Sequence, residues 1–352
     1  MTFDRLPELA ARAADYICAQ NPLRYENWEN ACNAGGLVSL DAARYADKVK
    51  EIADYAVRMQ ASDGQLAYGL IVPGDPANVV EKWTGAGTIT GTVHAATLGP
   101  VVLRQYEVSG ESRYLDAAKL QFAYMMRVGR TRDGGIVHRE EAPELWLDTV
   151  WFVAPFLAKY GLVTGNGDAV DDAVRQIDVH VEHLLDPKSH LLRHIWCETP
   201  DHIPQSMYWA RGHGWVVAAV ADIWEMLPAE HRGRASISRL LGTLLPALVK
   251  LQDRTGLWRN IMDDKRSPLE ASGTLMFAYG IRKALDLGIV QGAGYADAAR
   301  RAMEAVMPFV GTDGAVSLVA LPPGGPRARL GVAPYGQGWF AAAAGRFLAS
   351  AR

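Results

Sequence analysis

Turn signals and helix patterns, followed together along the chain, repeat roughly every 60 residues, a rhythm proper to stacked helical repeats and toroids. Asp63-Gly64, Asp133-Gly134, Thr255-Gly256 and Asp313-Gly314 mark turns, and Lys188-Ser189-His190 fills the gap between the second and third. Each follows a polar-faced helix pattern. After each comes a short apolar or aromatic segment, an irregular loop, and then a helix rich in Ala, Gly and bulky apolar residues. These second helices are expected to begin near Trp28, Thr92, Asp148, Gly214, Ala271 and Gly336. The stretches opening at Ser109, Thr164 and Gln291 resemble one another, and each starts an outer amphipathic helix. Val216 to Trp224 is apolar on nearly every side, as a helix surrounded by protein must be, whereas Ala298 to Val306 has a solvated face. Alternating inner and outer helices predict an all-α fold, an (α/α)6 toroid of six helical hairpins with short β segments in the loops at one mouth. An open helical solenoid is the rival, disfavoured because loops this long and Trp-rich suit a shared pocket. No linker or low-complexity stretch divides the chain, so residues 1–352 are read as one domain.

A chain of 352 residues, 49% hydrophobic with a formal charge of −3, is ample for a large core and offers no polybasic face for nucleic acid. The opening MTFDRLPELAARAADYICAQ carries acidic residues early and spaces its apolar residues as a helix does, unlike a signal peptide. No segment reaches the roughly 18 charge-free apolar residues of a membrane span. Cys18, Cys32 and Cys197 are odd in number and lack close metal-ligand spacing, which predicts free thiols and a reducing cytoplasm. Oligomeric state is left open.

The stretch Tyr208-Trp209-Ala210-Arg211-Gly212-His213-Gly214-Trp215 packs indoles, a guanidinium and an imidazole into eight residues before a long apolar helix. Trp faces stack on flat rings, the Arg fork fits a carboxylate, and glycine lets backbone approach closely, so the cluster suits an anionic sugar. Arg211 reads equally well as half of an ion pair to a neighbouring carboxylate. Asp148 lies between Trp146 and Trp151 at the start of the third inner helix. It is either a helix cap or an acid whose pKa desolvation raises, with the helix amino end pulling the other way. His194, in a strand-like alternation, is a hydrogen-bonded structural residue or a donor to substrate. Gly212-His213-Gly214 lacks the strand that a nucleotide loop requires. Metalloprotease, Cys/His ligand, phosphate-loop and nucleophile-elbow patterns are absent from the sequence, so neither metal nor cofactor is expected. Residues 322–326 form a rigid then flexible loop, read as a surface connection with a lid as the alternative.

These motifs resemble the unsaturated glucuronyl and rhamnogalacturonyl hydrolases. The resemblance is carried by Leu145 to Tyr160, Tyr208 to Leu227, Leu269 to Gly288, Tyr335 to Trp339 and Trp28-Glu29, and it spans essentially the whole chain. It implies an (α/α)6 barrel acting on lyase-generated oligosaccharides that end in a 4-deoxy-4,5-unsaturated uronic acid. It further implies vinyl-ether hydration, in which an Asp protonates C4, water adds at C5, and the resulting hemiketal rearranges to release the attached sugar. Asp148 matches the family's catalytic acid. Trp146, His194, Trp209 and Arg211 fall on positions similar to its substrate contacts, and Trp28, His213, Trp215 and Trp339 join them as candidates.

One departure stands out. Family members commonly carry a second Asp at the start of the second inner helix, where this chain has His94, and no Asp or Glu occurs between Lys82 and Tyr106. His94 is therefore a candidate catalytic residue that orients water or binds a different hydroxyl pattern. Glu29 and Glu144 are possible substitutes, each read first as structural. A sugar epimerase using His94, His194 and His213, a hydrolase of saturated glucuronides, and a non-catalytic sugar binder remain alternatives.

Overall fold

The computed structural model describes residues 3–67, 92–322 and 327–350. Twelve helices alternate between an outer and an inner ring among the described residues. The outer helices are α1 (Leu6–Cys18), α3 (Ala46–Arg58), α5 (Ser112–Met125), α7 (Gly167–Leu184), α9 (Gly233–Lys250) and α11 (Ala293–Val306). The inner ones are α2 (Asn27–Asp41), α4 (Gly99–Ser109), α6 (Leu147–Thr164), α8 (Ala210–Met226), α10 (Ala271–Asp286) and α12 (Pro334–Ser350). This is the expected (α/α)6 toroid. Helix α8 begins four residues before the expected Gly214, and the second inner helix is entered through a 3-10 turn, His94–Leu98. No helix among the described residues is long and apolar enough to cross a membrane.

Burial separates the two rings. Every residue of α8 from Ala210 to Ala221 is buried, because neighbouring inner helices and an outer helix surround it. Helix α11 buries only Ala298, Ala299, Ala302, Met303 and Val306, one stripe facing inward. The ring closes where α12 packs on α2. Glycines make that seam possible, since a Cβ on Gly36 would strike the Gly338 carbonyl and one on Gly345 would strike that of Ser39.

The five turns share one geometry. Gly64, Gly134, Gly256 and Gly314 all have φ between 88° and 104°, and His190 takes the same left-handed region at 59°. In each, a residue three or four earlier accepts from the turn residue's N–H, and its own N–H returns to the residue just after the turn, as in Thr131 N to Gly135 O at 2.8 Å and Asp253 N to Leu257 O at 2.9 Å. Gln60 and Gln252 tie two of the turns to the next outer helix. Each donates Nε2 to the turn glycine's carbonyl at 2.8 Å and to that of Ala117 or Ala298 at 2.9 Å.

A second repeated bond sets the mouth of the ring. The first helical N–H of α6, α8 and α10 has no partner within its own helix. Leu147 N donates to His194 O at 3.1 Å, Ala210 N to Asn260 O at 2.9 Å, and Ala271 N to Leu318 O at 2.8 Å. In each case the acceptor is four residues beyond the next turn. The second residue of an inner helix is thereby brought beside the residue four past the following turn.

Short strands brace these loops. β1 (Glu144–Trp146), β2 (Ile195–Cys197) and β3 (His202–Gln205) form one antiparallel sheet in the order β1-β2-β3. β4 (Trp258–Arg259) pairs with β5 (Leu269–Glu270), and β6 (Val319–Ala320) with β7 (Leu330–Gly331). Of the connection read as a possible lid, residues 323–326 lie outside the described residues. Cys18, Cys32 and Cys197 are free thiols.

Candidate active site

The helix-start rule brings Asp148 and His194 together. Asp148 follows Leu147, whose N–H is bound to the His194 carbonyl, and the two side chains meet with Nε2 of His194 3.2 Å from Oδ2 of Asp148. Both are mostly buried yet retain access, with side-chain exposures of 13% for Asp148 and 11% for His194. On the other edge of the imidazole, Nδ1 lies 2.8 Å from Oε1 of Gln205 on β3. Trp146 meets the ring edge-on at 5.4 Å, and Trp209 lies 4.9 Å from it.

Burial alone would raise the Asp148 pKa, as its indole neighbours suggest from the sequence. The structure corrects that expectation. The hydrogen bond and charge of His194, reinforced by His138 and Arg211, outweigh desolvation and hold the carboxyl below the ordinary carboxylate range.

Two further histidines face this pair. His94 makes edge contacts with His138 at 5.6 Å and Phe152 at 5.1 Å, and its Nδ1 is buried with no hydrogen-bond partner among the described residues. Burial lowers its pKa to about 4 despite the nearby Asp148 charge, so the ring is neutral at physiological pH. His138 is also buried. Its ring stacks on Trp146 at 4.5 Å and Nδ1 lies 2.9 Å from Thr149 Oγ1, while desolvation and its neighbours push its pKa well down. Motif reading missed His138, although a signal was present. It stands four residues past Gly134, just as His194 stands four past His190.

Arg211 opens α8 at the position equivalent to Asp148 in α6 and is 4% exposed. Its guanidinium lies 4.3 Å from the Trp209 ring centre and 5.1 Å from that of Tyr335, and Nη1 donates to the Ala320 carbonyl at 2.5 Å. Among the described residues no carboxylate comes within ion-pair distance of it, so the ion-pair reading is set aside. Trp209 donates Nε1 to Asn260 Oδ1 at 3.0 Å.

The remaining aromatic residues form a floor at the axis of the ring. Trp215 packs on Trp151 at 4.5 Å, Trp339 at 5.9 Å and Trp28 at 6.0 Å, and Trp28 meets Tyr335 at 4.8 Å. Trp28 and Trp151 are half-buried, whereas Trp339 is walled in and Trp215 is 1% exposed. The expectation that Trp215 touches substrate is corrected, because the side chain lies beneath its neighbours. His213 is corrected as well. It is fully buried, with Nδ1 2.8 Å from the Trp209 carbonyl and Nε2 accepting from Leu192 N at 2.9 Å, so backbone occupies both ring nitrogens.

The substitute carboxylates have structural tasks. Glu29 accepts from Glu26 N at 3.1 Å in a capping box, and burial raises its pKa to about 8 against the pull of Arg211. Glu144 accepts from Trp146 Nε1 at 2.8 Å. One carboxylate that motif reading did not weigh, Glu270, caps α10 through the N–H groups of Ser272 and Gly273, both at 2.6 Å.

The arrangement offers a carboxylate hydrogen-bonded to an imidazole, two neutral imidazoles beside it, and a buried cation over aromatic rings. Solved structures share the whole fold. One described as a possible member of glycoside hydrolase family 105, from Salmonella enterica serovar Paratyphi A, superposes with a TM-score of 0.83 at 23% identity, covering 100% of this chain and 96% of its own. The unsaturated glucuronyl hydrolase of Bacillus sp. GL1 does so with a TM-score of 0.71 at 13% identity, covering 98% and 97%. In sequence, the unsaturated rhamnogalacturonyl hydrolase YesR of Bacillus subtilis is 29% identical over 254 residues, which is 69% of this chain and 72% of that protein. The model of Glycosyl Hydrolase Family 88 matches residues 13–348, and the chain accordingly belongs to that family of glycoside hydrolases.

Proposed function

We propose that this protein removes a 4-deoxy-4,5-unsaturated uronic acid from the non-reducing end of lyase-generated oligosaccharides by hydrating its vinyl ether. The observation that carries this reading is the partly accessible Asp148–His194 pair beside a buried guanidinium that, among the described residues, has no carboxylate within ion-pair distance. Arg211 is suited to the substrate's carboxylate, since its charge is already desolvated and its plane is fixed by stacking. Trp28, Trp146 and Trp209 supply ring surfaces around the sugar.

In this reading the pair gives a proton to C4, and positive charge develops at C5 and the ring oxygen. The Asp148 carboxylate left behind stabilises that charge and takes a proton from the water whose oxygen bonds to C5. The hemiketal then opens and releases the attached sugar, and the pair has regained its proton. His94, neutral and with no hydrogen-bond partner for Nδ1 among the described residues, is suited to a substrate hydroxyl in place of a second carboxylate. The family membership and the YesR likeness support this assignment. Three free thiols support a cytoplasmic location.

The test follows the ultraviolet absorbance of the conjugated ene-carboxylate when purified protein meets lyase-generated disaccharides. Loss of absorbance with release of the second sugar is the expected result. Persistence on every substrate tried overturns the reading and leaves a sugar binder, while isotope exchange from deuterated solvent into an intact sugar would point to an epimerase.

A further inference from the structure

His194 meets an acceptor on each edge of its ring. Its Nδ1 lies 2.8 Å from the amide oxygen of Gln205, which can only accept, so Nδ1 carries a hydrogen and donates it. A hydrogen bond along the 3.2 Å axis between Nε2 and Asp148 Oδ2 then requires a second proton between them. On nitrogen it makes an imidazolium facing a carboxylate; on oxygen it makes a carboxylic acid facing a neutral imidazole. Gln205 itself is firmly placed. Its backbone pairs with Ile195 across β2 and β3, and its carbonyl accepts from His194 N at 3.1 Å, so it grips one residue by both main chain and side chain.

We infer that Gln205 is a positioning residue for proton transfer, holding Nδ1–H with a neutral acceptor so that the second proton stays movable between His194 and Asp148. The inference rests on the role proposed above for Asp148. An amide is suited to this task where a carboxylate is not. A negative charge on Nδ1–H would fix the proton on His194 and leave Asp148 with none to give, whereas an apolar side chain would free the ring to turn. The charged and titratable groups around the pair are His94 ahead of α4, His138 and Arg139 ahead of β1, and Arg211 on α8, with Glu29 on α2 and Glu270 at the start of α10 acting on Arg211. Arg211 and Arg139 keep their charge and both histidines are neutral near pH 7, whereas Glu29, raised to about 8, also titrates in the alkaline range. Glu29 is common to all variants, so it is the displacement of the alkaline limb between native and Gln205 variants that reports the pair.

The experiment compares Gln205→Glu and Gln205→Met with the native protein, reading kcat and kcat/KM against pH on a lyase-generated unsaturated disaccharide. In Gln205→Glu the alkaline limb moves up by about one pH unit or more, with kcat lowered roughly tenfold or further. In Gln205→Met it moves down, and KM changes little in either variant. Limbs that coincide with the native one, even where Tm falls, overturn the inference and leave Gln205 as a strand-pairing residue. A second readout needs no turnover: the His194 ring, followed by NMR and assigned by its loss in His194→Gln, titrates higher in the Glu variant and lower in the Met variant. A native protein that consumes no unsaturated uronide overturns the proposed function alone, and unshifted His194 titration overturns the role of Gln205.

Discussion

His194 Nε2 stands 3.2 Å from Asp148 Oδ2, and a main-chain bond one residue away, from Leu147 N to the His194 carbonyl at 3.1 Å, holds the two in register. The contact is a product of the repeat, since α8 and α10 start on the same bond to Asn260 and Leu318. Of the three hairpins that share this bond, the third brings a carboxylate to an imidazole. Asp148→Asn keeps the shape of the side chain and removes its ability to take up or give a proton. Turnover of the unsaturated disaccharide is expected to fall by roughly 10^2- to 10^4-fold with little change in the far-ultraviolet spectrum. Activity within a fewfold of native would remove Asp148 from the chemistry.

His213 supports the site without touching it. Replacing it by Ala leaves Leu192 N without its acceptor and empties a fully buried position, at a cost of about 1–3 kcal/mol for the stranded donor alone. A lowered Tm with KM unchanged is expected. If KM rises while Tm holds, the imidazole reaches substrate after all.

Acid should loosen the fold before it unfolds it. His94, His180 and His213 are each driven by burial to a pKa of about 4, against an ordinary value near 6.5 in the unfolded chain. Between those values the unfolded chain binds more protons than the native one. The stability that these neutral rings contribute is full above about 6.5 and is lost as pH falls toward 4, at roughly 1.4 kcal/mol per pH unit for each ring. Scanning calorimetry should therefore show Tm dropping steadily from pH 7 to pH 5. A flat Tm across that interval contradicts the burial of these rings.

The repeat turns are equally open to test. Gly256 has a φ of 93°, and a Cβ there would sit 2.5 Å from the Arg301 carbonyl oxygen. Gly256→Ala is expected to cost more than about 1 kcal/mol, because left-handed strain and a backbone collision act together. Gly242→Ala, on the exposed side of α9 with nothing near the added methyl, serves as the control and should be neutral or mildly stabilising. Equal effects in the two variants would show that the turn has another backbone conformation.

Much of the site could be read from residue identity. Arg211 beside Trp209, and Asp148 after Trp146, stand out as candidates because each sets a charged group next to an indole at the start of an inner helix. His138 was missed because, read singly, it belongs to no motif. The repeat would have revealed it, as it holds in its hairpin the place that His194 holds in the next. His213 and Trp215 misled for the opposite reason. They share a short stretch with Arg211, but α8 turns about 100° per residue, so neighbours in sequence point to different sides of the helix.

The sequence by itself determined the number and order of the hairpins, the left-handed turns between them and the chemical types gathered at the mouth. These follow from local rules, namely apolar periodicity, glycine where φ is positive, and Ala and Gly wherever a helix has protein on all sides. Tertiary structure alone decided the protonation of Asp148 and which histidines are accessible. The sign of a pKa shift is the difference between desolvation and the hydrogen bonds and charges that surround the group, and for Asp148 these come chiefly from His194, with Arg211 adding to them, residues distant in sequence and joined only when the ring closes.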